Sequence, residues 1–75
     1  MEYDKELDCI GVYCPLPVIK TKQEMEGMER DDVLKVTADD PGSKEDFPAW
    51  CDATGNMLVG KEEKDGEFVF YIKKM

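Results

Sequence analysis

Asp65-Gly66 separates MLVGKEEK from EFVFYIKK, and no other pair in the chain constrains the fold as tightly. An Asp-Gly step between two strand-forming runs favours a two-residue turn, because both central positions of that turn take positive φ. The C-terminal stretch is therefore expected to be an antiparallel hairpin. Phe68, Phe70 and Ile72 alternate along its second arm, so they share one face of the sheet and point to a core.

The segments before the hairpin supply the rest of a sheet and its cover. YDKELDCI, residues 3–10, mixes apolar and charged positions and reads as a short strand, with Gly11 marking a turn. From Pro15 to about Glu29 the pattern is helical: Val18, Thr21, Met25 and Met28 recur at spacings of three and four. Gly27 falls near the end, where a helix tolerates it best. VLKVTAD, 33–39, is rich in β-branched residues and reads as a strand. DDPGSKED, 39–46, is a loop in which Ser43 and Asp46 form a capping pair for a second helix. Phe47, Trp50, Cys51 and Thr54 then share a face, Pro48 predicts a late start or a bend, and Gly55-Asn56 ends the element. The order is strand, helix, strand, helix, strand, strand. Two helices on one face of a four-stranded sheet make a two-layer α/β sandwich.

Composition narrows the chemistry. A chain of 75 residues forms one domain and buries only about 60% of its unfolded surface, so an active group is expected near the surface, completed by a partner. With 18 acidic against 10 basic residues the net charge is −8, which repels polyphosphate and argues against direct nucleic-acid binding. MEYDKELD does not open as a signal peptide, and no apolar run approaches the ~20 residues that span a bilayer. A cytoplasmic protein away from membranes is expected. Histidine is absent, which removes Cys-His and Ser-His catalysis and most zinc or copper sites. The odd set Cys9, Cys14 and Cys51 makes a disulfide framework the poorer reading, and without a Cys-x-x-Cys pair no metal site is expected.

GVYCPLPVIK, residues 11–20, concentrates what remains. With Cys14 just before the first helical turn, Pro15 takes the first helical position, where its missing N–H costs little. Pro17 removes a second donor. The N–H groups of Leu16 and Val18 stay near the positive end of the helix dipole, where thiol pKa values fall from ~8.5 into the ~3.5–7.5 range. The prolines also stiffen the backbone beneath the sulfur. The stretch reads as a mount for a reactive, exposed thiol. The competing account, a small residue capping an ordinary helix, is weakened because cysteine caps poorly beside Ser, Thr, Asp or Asn.

LDCIGVYCPLPVIKTK followed by DDPGSKEDFPAWC closely resembles the TusA/SirA-like sulfur-carrier family, whose pattern runs Leu-Asp, a glycine, then Cys-Pro-x-Pro. The resemblance extends from Leu7 to the final strand. It implies an α+β fold: a βαβαββ two-layer sandwich over residues 1–75, with both helices on one face of a four-stranded mixed sheet. It implies that Cys14 carries sulfane sulfur as a persulfide, with Asp8, Gly11, Pro15, Leu16, Pro17 and Val18 as the supporting motif. Each transfer is then a thiol exchange, governed by thiolate fraction, leaving group and access, and needs no histidine. The implied partners are a donor such as a cysteine desulfurase or rhodanese and an acceptor sulfurtransferase. The acceptor would serve tRNA thiolation, cofactor synthesis or sulfur metabolism. No cofactor and no independent turnover are implied. Selenium shares the chemistry and has been linked with related proteins.

Other residues carry two readings each. Cys9 is either a buried strand cysteine, which is favoured, or a second thiol that resolves a Cys14 persulfide into a disulfide. Cys51 is better explained by core packing. Asp8 either bonds backbone in the turn, the favoured account, or tunes the thiolate by repulsion. Gly11 supplies a positive φ or a close backbone approach. Asp39, Asp40 and Pro41 lie beside the Cys14 loop if the first two strands are parallel neighbours, or merely turn the chain. The lysines read mostly as solvated charges, and Met25 and Met28 as core. Against the carrier stand a dithiol redox module using Cys9 and Cys14, and a noncatalytic regulatory interaction module.

Overall fold

The computed structural model describes residues 2–13 and 16–75. Six elements follow in order: β1 (Lys5–Cys9), α1 (Leu16–Glu26), β2 (Val33–Ala38), α2 (Ser43–Thr54), β3 (Met57–Lys64) and β4 (Glu67–Lys73). The strands lie in the order β1-β2-β4-β3. β1 runs parallel to β2, whereas β4 is antiparallel to both β2 and β3. The expected βαβαββ mixed sheet is present.

The hairpin turns where the Asp-Gly step predicts, with φ of 53° at Asp65 and 80° at Gly66. Phe68, Phe70 and Ile72 are all buried behind it. They meet Leu34, Val36 and Ala38 from β2 and Met25, Phe47 and Cys51 from the helices in one core. Burial of a large apolar side chain contributes about 1.5–3 kcal/mol, so this face dominates the stability of the small domain. In β3 the pairing skips a residue between Leu58 and Gly60, a bulge on the edge strand.

Several boundaries differ from the sequence reading, each for a local reason. β1 begins at Lys5 because the Asp4 carboxylate takes the Val33 amide at 2.8 Å in place of a backbone carbonyl. α1 stops at Glu26 instead of Glu29. At its end the Gly27 and Met28 amides bond back three residues, and the Lys74 ammonium donates to the carbonyls of Met25 at 2.7 Å and Met28 at 2.6 Å. Lys74 is thus a helix cap from the far end of the chain, and not a solvated charge.

α2 corrects the expected Ser43–Asp46 capping pair. Gly42 is the N-cap, with no side-chain bond, and Ser43 is already helical. The cause is the preceding turn: Asp40 accepts the Ser43 amide on its carbonyl at 2.9 Å and the Gly42 amide on Oδ1 at 3.2 Å. The helix also runs through Pro48 without the expected late start. A proline inside a helix costs ~3 kcal/mol. Against this, Phe47 is fully buried and stacks on Phe70 with ring centroids 4.7 Å apart. Tertiary packing overrides the local penalty. Thr54 does not join Phe47 and Cys51 in the core; it is exposed, its hydroxyl donating to the Trp50 carbonyl at 2.8 Å.

Candidate functional site

Parallel pairing of β1 and β2 brings two loops to one end of the sheet. Cys9 pairs with Ala38, so Ile10-Gly11 and Asp39-Asp40 leave the sheet side by side. They are tied directly: the Gly11 amide donates to Asp39 Oδ1 at 2.9 Å. Asp8 Oδ1 accepts the Ile10 amide at 2.9 Å, the backbone role favoured from sequence. Gly11 has φ of 79°, and a Cβ there would meet no other heavy atom within 4 Å. Positive φ is therefore the reason for glycine, and close approach is not.

Cys14 and Pro15, the centre of the sequence motif, lie outside the described residues. The chain on both sides of them is held. Val12 donates its amide to the Cys9 carbonyl at 3.1 Å and packs against the core. On the far side Pro17 is buried, its carbonyl accepting the Thr21 hydroxyl at 2.8 Å, and Val18 packs against the core. Leu16 donates its amide to the Tyr13 carbonyl at 2.9 Å. Of the two amides expected to face a thiolate, that of Leu16 is committed to backbone.

Cys9 and Cys51 are both core residues with free thiols. Burial pushes the Cys9 thiol up, with Lys20 acting downward and Asp8 upward. Burial, helped by Asp52, pushes Cys51 up to about 11. Burial thus disfavours the thiolate at both positions. Cys9 sits between Asp8 and Gly11 of the motif with its side chain in the core, and Cys51 lies in the core on α2. Among the described residues, no group of three or more His, Cys, Asp or Glu is arranged to hold a metal ion. Among the described residues, no helix is long and apolar enough to cross a membrane.

Two features escaped the sequence reading. The Gly11–Asp39 bond depends on strand pairing between residues 28 apart, which no local pattern encodes. The exposure of Ile10, Tyr13, Leu16 and Ile19 also went unseen, although their spacing of three was a signal available in the sequence.

The family model for sulfurtransferase TusA matches residues 5–74. The chain belongs to the TusA family. The sulfur carrier protein TusA of Allochromatium vinosum is 45% identical over 97% of this chain and 96% of its own. The sulfur carrier protein TusA of Pseudomonas syringae is 37% identical over 95% of this chain and 84% of its own. Among solved structures, the SirA-like protein of Desulfitobacterium hafniense superposes with a TM-score of 0.81 at 28% identity, covering 93% of this chain and 96% of that one. The TusA-family fold is thus shared over nearly the whole chain.

Proposed function

We propose that this chain is a sulfur carrier that holds sulfane sulfur on Cys14 and passes it between proteins. The observation that carries the reading is the state of the other two thiols. Cys9 and Cys51 are buried and shifted up, so the motif cysteine is left as the sulfur for exchange. The names of the relatives support the same role.

In loading, the Cys14 thiolate attacks the outer sulfur of a donor persulfide. The donor S–S bond breaks, the donor cysteine leaves as a thiolate, and Cys14 retains the new S–S bond. One sulfur moves with no net oxidation. In unloading, an acceptor thiolate attacks the outer sulfur of the Cys14 persulfide and the same exchange runs outward. The Val18 amide at the start of α1 and the dipole of that helix favour the anion. Pro15 and Pro17 restrict the backbone carrying it, and the Asp8, Gly11 and Asp39 bonds fix the loop.

The chain acts as the substrate of a donor such as a cysteine desulfurase or rhodanese and of an acceptor sulfurtransferase, without turnover of its own. It works in the cytoplasm. A dithiol cycle with Cys9 is disfavoured, because attack by Cys9 requires thiolate at a buried site. The test is intact mass after incubation with a cysteine desulfurase and L-cysteine. A reductant-labile gain of one sulfur is expected, and Cys14→Ser should abolish it; loading that persists in that variant would contradict the reading.

A further inference from the structure

Both helices lie on one side of the sheet, over Leu34, Val36, Ala38, Phe68, Phe70 and Ile72. The alternate residues face the other side, which no described element covers. Strand register sets them in rows. Asp8, Thr37, Val69 and Glu62 form one row across β1, β2, β4 and β3, and Glu6, Lys35, Tyr71 and Gly60 form the next. The second row is roofed by the chain itself. Tyr3 lies against Tyr71 with ring centroids 6.4 Å apart, Lys35 sits over the Tyr3 ring, and Tyr71 is only 5% exposed in consequence. In the first row Thr37 and Val69 are only half-buried.

Two shallow hollows lie along that open row, about 430 Å³ beside Asp8 and Thr37 and about 370 Å³ beside Val69 and Glu62, with Glu67 as a common wall. Their walls carry the carboxylates of Asp8, Glu62, Asp65 and Glu67 against the ammonium of Lys64. The lysines that β2 and β4 place on this face are engaged, Lys35 with Glu6 at 3.6 Å and Lys73 with Asp31 at 3.7 Å. The open row is therefore acidic. It repels polyphosphate, and it repels a second copy that also carries −8. It suits a cationic occupant. Neighbouring strands lie about 4.8 Å apart, so the row spans about 14 Å from Asp8 to Glu62. A helix with its side chains is about 10–12 Å across. One laid along β2 and β4 would rest a narrow apolar stripe on Thr37 and Val69, with Asp8 on one flank and Glu62 on the other.

We infer that the open face of the sheet, centred on Thr37 and Val69, docks an amphipathic helix of a partner protein whose apolar stripe is flanked by lysine or arginine. About two helical turns fit between the Tyr3–Lys35 roof and the hairpin. A contact that short, steered by opposite charge, forms and releases quickly. The inference stands apart from the carrier reading. The face lies on the side of the sheet away from the helices, so a partner held there leaves α1 and α2 uncovered.

The test titrates the full, isotope-labelled chain with a synthetic amphipathic peptide of leucine and lysine, roughly 15 residues long, and follows the backbone amides by NMR. Shifts are expected at Thr37, Glu62, Glu67 and Val69, and they should fade as salt is added. Glu62→Lys with Glu67→Lys should weaken binding about tenfold. Glu62→Gln with Glu67→Gln adds no charge to the hairpin and should weaken it less, in the same direction. Glu26→Lys with Asp52→Lys makes the same change in net charge on α1 and α2, and should leave binding within about twofold of wild type. Shifts confined to the helices, an equal loss in the helix-side pair, or equal binding of a peptide with glutamate for every lysine would overturn the docking face. So would the absence of any shift at millimolar peptide. Broadening of the same amides when the chain alone is concentrated would give the face to a second copy and overturn the inference as well.

Discussion

The Gly11 amide and the Asp39 carboxylate, 28 residues apart, meet at 2.9 Å and join the loop that leads to Cys14 to the loop that leads into α2. The bond exists because β1 and β2 are parallel neighbours whose ends coincide at Cys9 and Ala38. It fixes one side of the sulfur loop through the sheet, while buried Pro17 fixes the other through the core.

Removing that tie should loosen the loop before it affects the fold. Asp39→Ala is expected to cost about 1 kcal/mol in urea unfolding, the typical net value of one hydrogen bond. It should also slow persulfide loading. Gly11→Ala should cost about 1–2 kcal/mol for a different reason, because φ is 79° while the space for a Cβ is free. Equal stability of Gly11→Ala and wild type would refute this account of the turn.

Lys74 is the second long-range fastener. Its ammonium donates to two carbonyls at the end of α1, and charge-assisted bonds of this kind contribute ~1.5–3 kcal/mol each before desolvation is counted. Lys74→Met should therefore lower unfolding free energy by about 2–3 kcal/mol. Hydrogen exchange should show the last turn of α1 opening first. A loss below a few tenths of a kcal/mol would return Lys74 to the solvated charges.

Much of this was legible from local pattern. The hairpin, the β-branched strand at 33–39 and the Met25–Met28 face were set by turn chemistry and periodicity, and Asp8 was assigned its backbone bond from its place before a turn. The failures are tertiary. Ser43 looked like a cap because it stood three residues before Asp46, but the Asp40-Pro41-Gly42 turn started the helix earlier. Pro48 looked like a break, but the Phe47–Phe70 stack held the helix through it. Lys74 could not be told from the other lysines without the α1 carbonyls it meets. Cys14 was placed by its motif, and the structure contributes the burial of its two competitors.

Ser43 carries a prediction that the capping account would reverse. Its hydroxyl is buried and finds no hydrogen-bond partner among the described residues. A buried unsatisfied polar group costs about 1–3 kcal/mol, so Ser43→Ala should leave the protein as stable or raise its stability by about 1 kcal/mol. A loss of ~1 kcal/mol, the ordinary result of deleting a helix cap, would contradict it. Thermal unfolding of the two proteins decides.

The raised Cys51 thiol makes stability depend on alkaline pH. Burial lifts its pKa from 9.0 to about 11, so between these values the unfolded chain loses a proton that the folded chain keeps. Stability from this group is full below pH 9 and falls as pH rises to 11, by about 2–3 kcal/mol. Cys51→Ala should flatten that part of the urea midpoint against pH. Parallel curves for the two proteins would show that Cys51 contributes nothing to the slope.

The central claim is that one thiol of three carries the sulfur. It is tested most directly by loading the wild type from a cysteine desulfurase, alkylating without reduction, and mapping the extra sulfur by peptide mass spectrometry. The account predicts it on the Cys14 peptide alone, with undiminished loading in the Cys9→Ser, Cys51→Ala double variant. Extra sulfur on Cys9 or Cys51, or a Cys9–Cys14 disulfide appearing as the sulfur is released, would contradict it.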